Sequence, residues 1–416
     1  MAASTVSTNI YFYGIWVVLA SRATTSTFTK ILIVKKWLFL LLALLPFFSN
    51  AQDDSCVVRI SLLTCTPGEE LYSTFGHSAI RVADARNNTD IIFNYGTFDF
   101  NDPNFYEKFV QGKLLYFVSI DSLHNFLWEY EYFKRGVTEQ VLNLSCPDKQ
   151  KMINALYENA REENKYYRYD FNYDNCTTRL RDILEKATGK PLQTKNILPA
   201  AHTTFRDLIH VYLNNGHQYW SKLGIDILLG SPLDKEVTNR EAMFLPDYLM
   251  MAFDSAKINN KPLVMEKGLL LPPAVVNGSK PFFTPLLASL LLFVLILTFS
   301  ILRPNGVLLR TFDVFFFLLL GLLGILLLFM WFGTNHAMCR NNFNLLWALP
   351  THAVVAVMLF TKKQWVKLYF RFIFFYSIAL LACWFLLPQE MNIALLPLLG
   401  VILVRSYYIS KPTANG

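Results

Sequence analysis

Two residues of this chain sit in local contexts suited to thiol chemistry. His77 lies in Phe75-Gly76-His77-Ser78-Ala79-Ile80, where a Gly-His step runs into an apolar, β-prone segment. That pattern presents the ring at the start of a strand. Cys176 lies in Tyr173-Asp174-Asn175-Cys176-Thr177-Thr178-Arg179-Leu180, where short polar residues precede helical spacing at Leu180, Ile183 and Leu184. The spacing predicts the sulfur in the first turn of a helix. Backbone N–H groups and the positive end of the helix dipole stabilise a thiolate there, and a nearby imidazole lowers its pKa further. A Cys-His nucleophilic enzyme is the chemistry this pair points to. Taken singly, His77 reads rather as a histidine bonded at a turn, and Cys176 as a buried structural thiol; it is the pair that points to catalysis.

Such an imidazole needs a third group to orient it, expected on the strand beside that of His77. Asn94, in Phe93-Asn94-Tyr95-Gly96, is the first choice, although an Asn that merely ends a strand at a turn fits the same pattern. Tyr95 and Asn175 are further candidates for holding substrate, with Asn175 and Asp174 also reading as helix caps. Arg179 and Arg181 flank the thiol and suit a lipid phosphate, or else an ion-paired helix face with Asp182. His124, His202, His210 and His217 have no usable partner spacing; His336 and His352 fall near and inside the apolar C-terminal region. For His352 the expectation is a neutral ring bonded to a neighbouring helix. No spacing suggests zinc, and no metal or soluble cofactor is expected.

The elements that must position these groups read as an α+β domain over residues 52–200. Strands are expected at 57–63, 78–83, 91–96, 114–120 and 136–144, with helical spacing at 121–134 and 147–164. A helix-rich extension follows over 201–268. It contains Gly224-Ile225-Asp226-Ile227-Leu228-Leu229-Gly230, an apolar run placed against lipid or the main domain. Residues 269–281, rich in proline, read as a linker.

Of the 416 residues 53% are hydrophobic, and the excess is concentrated after about residue 281. Five apolar stretches there (285–302, 312–332, 343–360, 368–387 and 391–409) approach the ~20 residues that cross a bilayer, predicting a five-helix membrane domain over 282–410. Near the start, Lys35-Lys36, an apolar run and Ser49-Asn50-Ala51 form a secretory signal with cleavage after Ala51, preceded at 1–30 by residues that read as either an extension or a misassigned start. The signal places 52 onward outside the cytoplasm. Arg303 and Arg310, Lys362, Lys363 and Lys367, and Arg405 and Lys411 then fall on cytoplasmic ends, as the positive-inside rule requires. The net charge of +7 reflects this bias and gives no reason to expect nucleic acid. A structural disulfide is expected among Cys56, Cys65 and Cys146.

Several of these segments resemble the Lnb family, lipoprotein N-acyltransferases of Bacteroidetes. They are residues 62–77, ending Thr74-Phe75-Gly76-His77; Phe93-Asn94-Tyr95-Gly96-Thr97-Phe98-Asp99-Phe100; residues 167–179 through Asp174-Asn175-Cys176; and the Gly-Ile-Asp-Ile-Leu-Leu-Gly run. The resemblance spans roughly residues 55–255, and the family joins this domain to a multi-helix membrane region. It implies transfer of a fatty acyl chain from a membrane phospholipid to the α-amino group of a diacylated lipoprotein's N-terminal cysteine. The protein would then be a multi-pass bacterial inner-membrane protein with its catalytic domain in the periplasm. By analogy, the His-then-Cys order also looks like permuted papain-like enzymes related to NlpC/P60. Two rivals remain: a membrane-tethered cysteine peptidase or amidase acting on cell-wall peptide, and a non-enzymatic sensor.

Overall fold

The computed structural model describes residues 57–273, 281–304, 306–361 and 363–411. The signal and the extension at 1–30 lie outside the described residues, as does Cys56. The N-terminal region is built on a seven-stranded antiparallel sheet of order β6-β4-β3-β2-β1-β5-β9. Its strands are β1 (Arg59–Cys65), β2 (His77–Asp84), β3 (Thr89–Thr97), β4 (Leu115–Ser122), β5 (Val137–Leu142), β6 (Tyr166–Arg168) and β9 (Val264–Leu271); β7 (Lys257–Ile258) and β8 (Lys261–Pro262) form a separate hairpin.

The two-residue period of β1 sends Ile60 and Leu62 to one face and Leu63 and Cys65 to the other. Both faces are therefore covered. Helix α2 (Leu123–Tyr132) lays Phe126 and Tyr130 over one side. On the other, α3 (Cys146–Asn159), α4 (Cys176–Thr188) and α8 (Pro246–Ser255) contribute Met152, Leu156, Leu180, Leu184, Leu249 and Phe253. The mixed α/β class and the five expected strands agree with this architecture.

One boundary differs. Residues 264–271, read from sequence as the end of the helical extension and the start of a linker, form β9 and pair along β5. The strand is Val-Met-Glu-Lys-Gly-Leu-Leu-Leu, without clean alternation, and most of it is exposed. Its conformation comes from backbone bonds to β5, which no local pattern announces.

The apolar C-terminal region also departs from five equal spans. Among the described residues, three helices are long and apolar enough to cross a membrane: Pro285–Leu302 (α9), Val307–Phe332 (α10) and Gln364–Leu386, the last comprising α12 (Gln364–Cys383) and a terminal turn. A fourth crossing exists only if Ala337–Leu346 and Thr351–Thr361, bent by 41°, act together. Leu395–Ser410 (α13) is shorter. The bend has an identifiable origin. Asn342 donates to the carbonyls of Ile227 and Leu228, and Asn344 to that of Asp226, which ties this segment to the N-terminal region. Pro350 then begins the next helix.

Arg405, one of the cations at the expected cytoplasmic ends, is buried. It makes a two-pronged bond to Asp313 at 2.6 and 2.7 Å and a third to Ser300 at 2.8 Å. A charge among apolar helices persists only with such partners. His352 matches its expectation, bonding the Tyr369 hydroxyl on α12 at 2.8 Å.

The two regions are joined by a buried polar cluster centred on α6 (Tyr219–Leu228). Asp226 accepts from Arg206 (2.8 Å), His210 (2.7 Å) and Asn392 (2.8 Å), and Arg206 also holds Asp234. The glycine-bounded run at 224–230 thus sits on the loops of the helical region, with Gly230 N–H bonded to the Met338 carbonyl.

Candidate functional site

The helix carrying Cys176 starts where its sequence says it should. Asn175 is the N-cap, its Oδ1 accepting from the N–H groups of Thr177 (2.9 Å) and Thr178 (2.8 Å), while the Thr178 hydroxyl accepts from the Asn175 N–H. The Asn175 amide also donates to the carbonyls of Phe171 and Phe244. Cys176 is the first residue of α4, and its N–H has no hydrogen-bond partner among the described residues.

This helix packs on β2, which opens with His77. The thiol therefore faces the imidazole. The other ring nitrogen, Nε2, meets Asn94 Oδ1 on the adjacent strand β3 at 2.5 Å. A carboxamide oxygen only accepts, so Nε2 carries the proton and Nδ1 is left for the sulfur. The Thr177 hydroxyl lies 3.6 Å from the sulfur. Burial pushes the Cys176 thiol up, but the His77 ring, the Ser78 backbone N–H and Thr177 outweigh it and bring it down to about 7. Burial likewise lowers His77, and the thiol and Asn94 more than reverse it. Each partner thus stabilises the charged form of the other. Cys65, on β1 beside His77, is the contrast: burial pushes it up to about 12.

Glycine conformation sets the close approach. Gly76, at φ +79°, places His77, and a Cβ there would lie 2.7 Å from the Cys65 carbonyl oxygen. Gly96, at φ +91°, falls within an irregularity of β3, and a Cβ on it would meet Tyr169 at 3.6 Å and Cys176 at 3.7 Å. Gly96 and Tyr169 were not singled out from sequence. A glycine inside a β-prone run is the usual mark of a bulge and was the available signal for the first.

The four proposed substrate contacts are engaged elsewhere. Arg179 is held by Asp174 and lies over the Tyr167 ring at 3.5 Å. Arg181 is buried, bonded to Asp182 and to the Arg240 carbonyl. Tyr95 is fully buried, its hydroxyl accepting from Asn159. Asn175 is the cap just described. The structure thus gathers Cys176, His77 and Asn94 and leaves these four in supporting roles. Cys146 is disulfide-bonded, whereas Cys65 is a free thiol. No cluster of metal-ligating side chains occurs among the described residues.

Aromatic rings lead away from the thiol. Tyr169 stacks on Tyr116 (4.5 Å), Tyr116 meets Phe98 (5.4 Å), Phe98 meets Phe105 (5.9 Å), and Phe105 stacks on Phe109 (6.2 Å). The last two belong to α1 (Phe105–Val110). Phe109 offers its carbonyl to His336, and Gln111 offers its own to the Asn335 N–H, both in the loop that follows α10.

A thiol–imidazole–carboxamide arrangement on an α+β domain, fixed to a bundle of apolar helices, defines a membrane protein with an extramembranous site. The chain belongs to the Lnb family: the family model for the Lnb N-terminal periplasmic domain matches residues 47–211, and that for the Lnb transmembrane domain matches residues 277–414. It is thus a membrane protein with a periplasmic domain, in a family associated with lipoprotein maturation. No curated protein and no solved structure matches the chain.

Proposed function

We propose that this protein transfers a fatty acyl chain from a membrane phospholipid, through a thioester on Cys176, to the α-amino group of a diacylated lipoprotein's N-terminal cysteine. The observation that carries the reading is the lowered thiol of Cys176 against a ring oriented by Asn94. His77 takes the thiol proton, and the sulfur attacks the ester carbonyl. His77 then protonates the departing oxygen, and lysophospholipid leaves. In the second half the lipoprotein amine attacks the thioester, its proton passes to His77, and the thiol is restored. A thioester reacts with amines far more readily than the ester it came from, so one hard step becomes two easier ones.

The unpaired N–H of Cys176, at the positive end of α4, suits the developing oxyanion. Tyr169, whose ring borders Gly96 together with Cys176, makes no hydrogen bond among the described residues and is a candidate second donor. The aromatic track from Tyr169 to Phe109 favours a lipid over a cell-wall peptide, because it offers an acyl chain an apolar path toward the membrane. Placement in the bacterial inner membrane with several crossings, and a permuted papain-like ancestry, belong to the same proposal.

Incubating the purified full-length protein with phospholipid alone tests it. Hydroxylamine-labile acylation should map to Cys176, with stoichiometric lysophospholipid, and should vanish in His77→Ala and Cys176→Ser. Cleavage of peptides without lipid would favour the amidase reading. Turnover with acceptor but without any acyl group on Cys176 would remove the thioester pathway.

A further inference from the structure

At the ends of the helices remote from the N-terminal region lies a second site with no part in the thiol chemistry. The loops after α10 and before α13 contact the N-terminal region, so the C-terminus of α9 and the N-termini of α10 and α12 lie at the opposite face. A cavity of about 170 Å³ opens there, lined by Arg310, Lys363, Lys367, Arg405, Lys411 and a single carboxylate, Asp313. Five cations against one anion is an unusual lining for space between apolar helices.

Three of the five cations are not internally consumed. Asp313 is engaged by Arg405 in the buried pair already described. Lys411 lies over the Tyr407 ring at 4.1 Å. Arg310, Lys363 and Lys367 make no salt bridge and no side-chain hydrogen bond among the described residues. The N-caps of α10 and α12, Gly306 and Lys363, make no side-chain capping bond. Two sets of first-turn N–H groups and two positive dipole ends therefore meet at the same place as the three free cations. A multi-oxygen anion such as a phosphate satisfies all of these at once.

The rim indicates which phosphate. Phe360 lines the cavity while 71% exposed, and Leu302 and Leu308 at the adjoining helix ends are 71% and 68% exposed. This surface faces the bilayer, so a phosphate held in the cavity can run its acyl chains along it, which a free ion lacks. The excess of Lys and Arg at these helix ends also marks the cytoplasmic leaflet, where anionic lipids attract basic side chains.

We propose that this cavity binds the phosphate headgroup of an anionic phospholipid from the leaflet opposite the N-terminal domain. Arg310, Lys363 and Lys367 contact the phosphate, Arg405 fixed by Asp313 forms the floor, and the acyl chains lie along Phe360. The site is structural or regulatory and distinct from the acyl donor's place at Cys176.

Native mass spectrometry of the full-length Cys176→Ala protein tests this without turnover, so its result is independent of the proposed acyl transfer. The probes are phosphatidylglycerol, phosphatidylcholine and inorganic phosphate. Phosphatidylglycerol should be retained in preference to phosphatidylcholine. The pair Lys363→Gln, exposed, with Lys367→Gln, half-buried, should weaken that preference by roughly tenfold or more. Arg303→Gln, outside the cavity lining, should leave it unchanged, and unchanged thermal unfolding of the variants would show that all remain folded. Equal retention of the two lipids overturns the proposal, as does an undiminished preference in the double variant. If millimolar inorganic phosphate displaces phosphatidylglycerol completely, the cavity is a free-anion site and the lipid assignment fails.

Discussion

Cys176 and Cys65 are both buried free thiols of one domain, yet their environments push them in opposite directions. Burial, opposed only in part by Tyr130 and Arg135, pushes Cys65 up to about 12, whereas His77, Ser78 and Thr177 bring Cys176 down to about 7. The thiolate is the reactive form. Alkylation of Cys176 by iodoacetamide should therefore be slow below pH 7, rise through about 7 and level off above it, with Cys65 unmodified throughout. In His77→Ala the cost of burial is no longer opposed by a cation, so the midpoint must move to higher pH. A midpoint that stays put would show that the imidazole is not what lowers the thiol. Asn94→Ala removes the acceptor that fixes the ring, and a misplaced base costs roughly a hundredfold in rate. Its signature is a fall in kcat at unchanged thermal stability.

At the scale of elements, the site depends on two starts, that of β2 and that of α4. Gly76 and Asn175 secure them. Gly76→Ala combines a left-handed φ with a 2.7 Å approach to the Cys65 carbonyl, and such strain costs on the order of 1–3 kcal/mol. A lower Tm together with loss of activity is expected, because His77 is the next residue. Asn175→Ala removes a cap worth about 1 kcal/mol and also leaves the Phe171 and Phe244 carbonyls without their donor. Asn175→Asp should keep the cap but lose those two bonds, so its Tm should fall between those of the wild type and Asn175→Ala. Equal Tm values for the two variants would show that the carbonyl bonds contribute nothing.

For the whole molecule, the buried cluster around Asp226 fixes the periplasmic region to the helices. Asp226→Ala would strand a fully buried Arg206 with only Asp234 and two backbone carbonyls, and would leave His210 with Glu390 at 3.8 Å alone. Breaking a buried pair costs about 3–5 kcal/mol. The expected result is a lower Tm and new protease sensitivity near Gly230, with acyl transfer reduced although Cys176 alkylates normally. That split separates loss of the junction from damage to the thiol. Normal transfer in the variant would show that the junction is not needed to bring lipid to the site.

Much of this molecule is local, and so was legible in its sequence. β-prone runs marked five of the strands, short polar residues marked the start of α4, and apolar runs marked the membrane region, because each pattern reports a preference of the chain with itself. The choice of His77, Cys176 and Asn94 followed from what surrounds each residue within a few positions. What the sequence did not announce are features created by partners distant along the chain. β9 is a strand because β5 offers it backbone bonds. Arg405 is buried because Asp313, ninety-two positions earlier, meets it. The third apolar stretch bends because Asn342 and Asn344 bind carbonyls of α6. The cap at Asn175 and the pairing of Arg181 with Asp182 were already open in the sequence, whereas only packing revealed that the Tyr95 hydroxyl was in use by Asn159. Sequence determined which groups could react; tertiary structure decided which remained unpaired, since burial forces every other polar group to find a partner within the protein.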